Sequence, residues 1–437
     1  MIPWLRFLRE NSRHSHTRIA FADSKEWQMN EGRLVHKTGG FFSVEGMRTT
    51  AALDALNGCT QPIINQPEIG ILGFVVHIEE GEALWLLQAK GEPGNTNSIQ
   101  LAPTVQATFS NYMRRHGGAP TLYLDHFVGE GDYLSDSLQS EQGTRFLRKF
   151  NRNIMVQASD RLPIESDAFG WCSSQDLSEV LLADYAINTD ARSVITTGPW
   201  SVVGAGRDMF RSNKARSLFG EALAVSYDQK CRDGLATDLQ VLVESIRHEV
   251  SLVVHACPLD ALEGWIMTEK HISCAHQHRE LVVEHFEVFA PGRERSQWDQ
   301  PLFRSTGVDE VILFCQKRDG LLKFLLRPTL EPGLTGGVEI GPSFKRESAK
   351  HLPTWLQDLA ANPSGGASIE VAQSDEGGRF MESRCRYRVE ELATGKAVPE
   401  DPWNVWVSLS ELELLCRTPK LLTNEARSVV SILLGLA

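Results

Sequence analysis

Two apolar runs, residues 69–77 and 83–90, flank Glu79-Glu80-Gly81-Glu82, a pattern that predicts a β-hairpin with glycine in its turn. The same pattern returns at 311–316 and 321–327 around Lys317-Arg318-Asp319-Gly320. Further along, Ser174 or Asp176 caps a predicted helix through Ala183, and Ser408 or Ser410 caps one through Cys416. Residues 212–223 and 237–247 read as connecting helices. Around Pro103, Gln100, Thr104 and Gln106 fit strand-like alternation and place amides and a hydroxyl on one face. The predicted fold class is α/β in the broad sense, a mixed α+β arrangement of hairpins and short helices.

The pattern is duplicated. Gln139-Ser140-Glu141-Gln142-Gly143-Thr144-Arg145-Phe146 reappears 234 positions later as Gln373-Ser374-Asp375-Glu376-Gly377-Gly378-Arg379-Phe380. Glu92-Pro93-Gly94 returns after 239 positions as Glu331-Pro332-Gly333, and Ala191-Arg192-Ser193-Val194 after 235 as Ala426-Arg427-Ser428-Val429. Matches in one order with slowly drifting offsets predict a tandem repeat. Residues 1–200 form the first repeat, 201–244 a helical connector and 245–437 the second repeat. Lys90, Asn95, Gln106, Arg148 and Asn151 align with Thr329, Leu334, Lys345, Glu382 and Cys385. Loss of those polar groups predicts a working site in the first repeat and a vestigial one in the second.

A net charge of -12 disfavours a nucleic-acid partner, because phosphate affinity needs a basic face. The eight cysteines form no CxxC pair and read as reduced thiols. With no apolar run of membrane length and no leader pattern at the N-terminus, the expected location is cytoplasmic, without membrane contact. His271, Cys274, His276 and His278 match no standard zinc spacing, and Gly204-Ala205-Gly206 has Met209 where a dinucleotide fingerprint needs glycine. No metal is expected. One basic window stands out: Arg145, Arg148, Lys149 and Arg152 share helical spacing against the single carboxylate Glu141. A fork of guanidinium groups suits a pyrophosphate. A solvated basic helix face would show the same spacing.

Phe41-Phe-Ser-Val-Glu-Gly46, Gln88-Ala-Lys-Gly-Glu-Pro-Gly-Asn95, Gln100-Leu-Ala-Pro-Thr-Val-Gln-Ala-Thr108, Asn111-Tyr112, His116-Gly-Gly118 and Gln139-Ser-Glu-Gln-Gly143 make the chain resemble the NDP-hexose 2,3-dehydratases of deoxysugar biosynthesis in antibiotic-producing bacteria. The resemblance implies two tandem Nudix-like domains in a homodimer. It also implies a dTDP-linked 4-keto-6-deoxyglucose substrate, a 3,4-diketo-2,6-dideoxy product and coupling to a 3-ketoreductase. No REuxEE pattern of a Nudix metal box occurs in either repeat, which disfavours pyrophosphate hydrolysis.

Such a dehydration needs a base for the C3 proton, a donor to the C4 enolate and an acid for the C2 hydroxyl, and it requires no cofactor. Glu141 and His116 are the candidate proton carriers, and Lys90 and Tyr112 the candidate oxyanion donors. Candidate substrate contacts are Asn95, Gln100, Thr104, Gln106, Asn111, Arg115, Gln139, Arg145, Arg148, Lys149 and Asn151. Two other readings stay open at this point: a non-catalytic sugar-nucleotide binder and a Nudix-type pyrophosphohydrolase.

Overall fold

Both predicted hairpins form, for the same local reason. Strand Gly70–Glu79 turns into Glu82–Gly91 through Glu80 (φ 50°) and Gly81 (φ 82°). Strand Val308–Arg318 turns into Leu321–Leu330 through Asp319 (φ 53°) and Gly320 (φ 79°). Two successive positive φ angles define the tight turn whose twist matches that of paired strands, and an acidic residue followed by glycine accepts it. The computed structural model describes residues 1–113, 120–129, 131–204, 209–210, 218–275, 281–291, 295–362 and 366–437.

Each hairpin is the centre of a seven-stranded mixed sheet. In the first, Phe150–Ala158 runs parallel to Gly70–Glu79 and antiparallel to Tyr133–Ser140, while Phe169–Ser173 borders Glu82–Gly91. In the second, Arg384–Glu391 runs parallel to Val308–Arg318 and antiparallel to Ser368–Ser374, while Val405–Val407 borders Leu321–Leu330. Short strands Ile99–Ala102 and Val105–Ala107 complete the first sheet, and Val338–Gly341 and Phe344–Lys345 the second. The chain is therefore a mixed α+β fold in which two sheets share one pairing scheme.

Helices Thr189–Thr197 and Asn424–Leu434 are buried along their whole lengths and pack against each other. Asn188 and Thr423 cap them, each accepting the backbone N–H three residues on. Around this pair one hydrophobic core runs through both sheets, from Phe74 and Trp85 to Phe324 and Val429. Helix Leu235–Val250 links the halves. The predicted connecting helix at 212–223 is seen as Leu218–Tyr227, its first residues lying outside the described set. No described helix is long and apolar enough to cross a membrane.

The halves also exchange strands. Val253–Cys257 of the second half joins the first half's antiparallel sheet beside Ser43–Thr50. Ser15–Ile19 of the first half joins the second half's sheet beside Leu281–Phe289. Neither antiparallel sheet is made by one half alone.

Candidate active site

The repeated motifs explain themselves through a reciprocal docking. The backbone N–H of Gly94 donates to the Gly377 carbonyl at 2.9 Å, and that of Gly333 donates to the Gly143 carbonyl at 2.7 Å. Each Glu-Pro-Gly turn thus sits on the Gln-Ser loop of the other half. A Cβ at Gly94 would lie 1.7 Å from the Phe380 carbonyl oxygen, and one at Gly333 2.0 Å from that of Phe146. Only glycine permits that approach. The consequence is that each half projects the arginine of its own loop into the other half's cavity.

One cavity, of about 190 Å³, opens at the end of strand Glu82–Gly91 in the first half. It is lined by Lys90, Glu92, Gln106, Glu141, Lys149, Asn151 and Asp190, and the second half adds Glu376, Gly378 and Arg379. Trp27, His36, Phe41, Phe42, Arg295 and Trp298 also line it. Lys90 Nζ lies 3.4 Å from Glu92 Oε1 and donates to the Gln106 carbonyl at 3.1 Å. Gln106 is itself fixed: its Nε2 donates to Glu92 at 3.2 Å and its Oε1 accepts from Asn188 at 2.9 Å. Both carboxylate oxygens of Glu141 accept amide hydrogens, from Asn151 at 2.7 Å and from Asn424 at 3.2 Å. Lys149 Nζ donates to Asn151 at 2.8 Å and to the Phe150 carbonyl at 3.1 Å.

Arg379 donates to the Gly378 carbonyl at 2.8 Å and to Gln66 Oε1 at 3.3 Å, and lies 4.3 Å over the Phe42 ring. Its Nε is buried without a partner, and it makes no ion pair with a described carboxylate. A cation held in this way is a ready anion site. Crowding sets the protonation of its neighbours. Burial, reinforced by the Glu92 and Glu141 carboxylates, pushes Glu376 up to about 7 against the opposing pull of Arg379. Burial and the carboxylates of Glu141, Glu376 and Glu92 raise Asp190, and burial raises Glu141. Burial lowers Lys149 to about 8.

The sequence model of the NDP-hexose 2,3-dehydratase family matches residues 1–197 and 236–433. The chain belongs to that family. It is 33% identical to the dTDP-4-dehydro-6-deoxy-alpha-D-glucopyranose 2,3-dehydratase of Saccharopolyspora spinosa, over 99% of this chain and 91% of the relative. Relatives of the same name from Amycolatopsis orientalis and Streptomyces violaceoruber are each 32% identical, over 95% and 96% of this chain and 85% and 93% of theirs. A solved structure described as an ADP compounds hydrolase aligns at 17% identity over 39% of this chain and 94% of its own, with a TM-score of 0.24, too low to carry any argument.

In this family member, five of the residues singled out in the sequence converge on the cavity: Lys90, Gln106, Glu141, Lys149 and Asn151. Other candidates stand elsewhere. The basic window is not a helix. Residues 143–148 form turns and Phe150–Ala158 is a strand, so helical spacing does not gather its cations. Arg145 reaches into the second half and pairs with Glu347 at 2.5 Å. Arg148, at φ 47°, is exposed, and Arg152 pairs with Asp136 on the surface.

Tyr112 leans its ring on Phe109 beside the core under the first sheet and does not line the cavity. Gln100 donates to Ser374 at 2.6 Å and Gln139 to Ser137 at 2.8 Å, both buried between the halves. Thr104 donates to the Leu86 carbonyl at 2.5 Å, and Asn95 donates to the Lys90 carbonyl at 3.1 Å and so holds the turn after Lys90. Arg115, His116 and the side chain of Asn111 lie outside the described set. Glu376 and Arg379 were missed, because motif counting credits them to the second repeat.

The corresponding region of the second half is nearly filled, leaving about 20 Å³. Lys345 stands where the first half has Gln106, and its Nζ meets Glu331 at 2.8 Å, Glu425 at 2.6 Å and Glu347 at 3.2 Å. Cys385 and Ser383 replace Asn151 and Lys149.

Proposed function

We propose that the open cavity binds a dTDP-linked 4-keto-6-deoxyglucose and eliminates water across C2 and C3 to give the 3,4-diketo-2,6-dideoxy sugar nucleotide. The observation that carries this reading is the set of groups that one cavity gathers. Aromatic rings, the Arg379 guanidinium and a lysine–carboxylate cluster all line it. A nucleotide base stacks on Trp27, Phe42 or Trp298, the pyrophosphate lies on Arg379, and the hexose reaches Lys90, Glu141 and Asn151.

Elimination then follows from the C4 ketone. Glu141 takes the C3 proton, its own position fixed by Asn151 and Asn424. Lys90 donates to O4 as negative charge develops there, a hydrogen bond that strengthens in a dry site. Gln106 fixes the Lys90 ammonium between its own carbonyl and Glu92, so little reorganisation is needed at the moment of reaction.

We further infer that residues 1–200 and 245–437 are tandem Nudix-like repeats joined by residues 201–244. The ordered sequence matches, the shared strand pairing and the two stretches matched by the family support this. A cytoplasmic homodimer handing its reactive diketone to a 3-ketoreductase completes the reading. The test is incubation with dTDP-4-keto-6-deoxyglucose, trapping the vicinal diketone with an aromatic 1,2-diamine. A mass loss of one water from the hexose is expected. Release of a nucleoside monophosphate without dehydration would refute the assignment.

A further inference from the structure

We infer that Glu376, supplied by the second half, is the catalytic acid that protonates the departing C2 hydroxyl in the first half's cavity, an inference that rests on the dehydratase reading above. Three observations carry it. The docking of Gly94 on Gly377 brings the loop 375–379 against Glu92, so the Glu376 side chain lines the open cavity. Its carboxyl group accepts no hydrogen bond from a described residue, whereas both oxygens of Glu141 are occupied by amides. Two amides donating to Glu141 favour its carboxylate form, which a base needs, and no such donor holds Glu376 ionised.

The third observation is an internal control. Because the loops cross between halves, the true counterpart of Glu376 is Gln142, which lines the closed cavity and donates to Asp375 at 2.7 Å. Glu141, by contrast, has an acidic counterpart there, Asp375. An acid present only in the open cavity is the one the chemistry selects. Protonation agrees with this: burial, aided by Glu92 and Glu141 against the pull of Arg379, raises Glu376 to about 7, as a proton donor requires.

The step balances without any co-reactant. Removal of the C3 proton leaves its electron pair as a C3=C4 bond, and the carbonyl pair moves to O4. When O4 returns that pair, the C3=C4 electrons become C2=C3 and the C2–O bond breaks. The departing oxygen keeps that bond's electrons, takes the Glu376 proton and leaves as water. Glu376 remains as a carboxylate, and the enol at C3 tautomerises to the diketone by protonation at C2.

The experiment compares the wild-type protein with Glu376→Gln and Glu376→Asp, in substrate turnover, dTDP binding and C3 hydrogen exchange in deuterated water. For Glu376→Gln, turnover is expected to fall by at least roughly 100-fold, the usual worth of a general acid. Binding of dTDP should stay within about twofold, with C3 exchange retained, because the base is intact. Glu376→Asp should recover part of the turnover. Turnover of Glu376→Gln close to that of the wild type would overturn the proposal. So would loss of C3 exchange along with turnover, which would make Glu376 the base or a structural group. A wild-type protein that is inert on this substrate would instead sink the dehydratase reading.

Discussion

Removing the Arg379 guanidinium should weaken nucleotide binding in the first half's cavity although the residue belongs to the second half. The magnitude follows from what surrounds it. Its described partners are the Gly378 carbonyl, Gln66 and the face of Phe42, none of which carries charge, and its Nε has none at all. The guanidinium therefore meets a pyrophosphate without first breaking an ion pair. A hydrogen bond to a charged group contributes about 1.5–3 kcal/mol, so Arg379→Ala should raise the Kd for dTDP roughly ten- to 150-fold. Arg379→Lys should recover only part of this, because an ammonium lacks the planar fork.

The control is Arg145→Ala, the same position in the other repeat. Arg145 is paired with Glu347 in the closed cavity. Its loss should leave dTDP affinity within about twofold and appear as a modestly lower Tm, since a partly exposed ion pair is lost while Lys345 still holds Glu347. Titration calorimetry and thermal unfolding of both variants decide the matter. If Arg145→Ala abolished binding while Arg379→Ala bound normally, the crossed assignment of the loops would be wrong.

Three other outcomes follow. Lys345→Met should lower Tm markedly, because Glu331, Glu347 and Glu425 lose their shared cation. Glu331 already sits at about 7, above its unfolded value, so the deficit should be largest above pH 7 and shrink as the pH falls toward about 4. The turnover profile should decline as pH rises through about 7, where Glu376 loses its proton. Glu376 is faced there by Glu92, Lys90, Glu141, Asp190, Lys149 and Arg379, and a flat profile across that range would contradict the acid role. Residues 1–200 and 245–437 produced separately should remain unfolded, because Ser15–Ile19 and Val253–Cys257 each find their partner strand in the other half, and co-expression should restore folding measured by circular dichroism.

Local chemistry was legible in the sequence and long-range pairing was not. Glu80-Gly81 and Asp319-Gly320 announced their turns because the turn type itself demands those residues. The helix after Ser408 was visible through its capping group, whereas the helix Ser174–Leu181 is capped by Ser173 and not by Ser174 or Asp176. Lys90 and Asn151 were found because they differ between the repeats while their surroundings do not. The window Arg145–Arg152 misled, since spacing every three or four residues gathers charges only if the segment is helical, and here a turn leads into an inner strand of the mixed sheet. The crossing of the loops left no local trace. A Glu-Pro-Gly turn fits the loop of its own repeat as well as that of the other, so the sequence is the same for either arrangement.

That crossing alters what each half is free to become. Lys345 fills the second half's own cavity, which leaves about 20 Å³ beside Cys385. Its loop 376–379 nevertheless lines the cavity of the first half. Mutational tolerance should therefore divide along the cavities and not along the repeats. Substitutions at Gly377 or Arg379 should be penalised like changes at Lys90, while those at Arg145 should affect stability alone. The closed cavity can change here without its half becoming dispensable, and the two halves are held together by a seam that neither one contains.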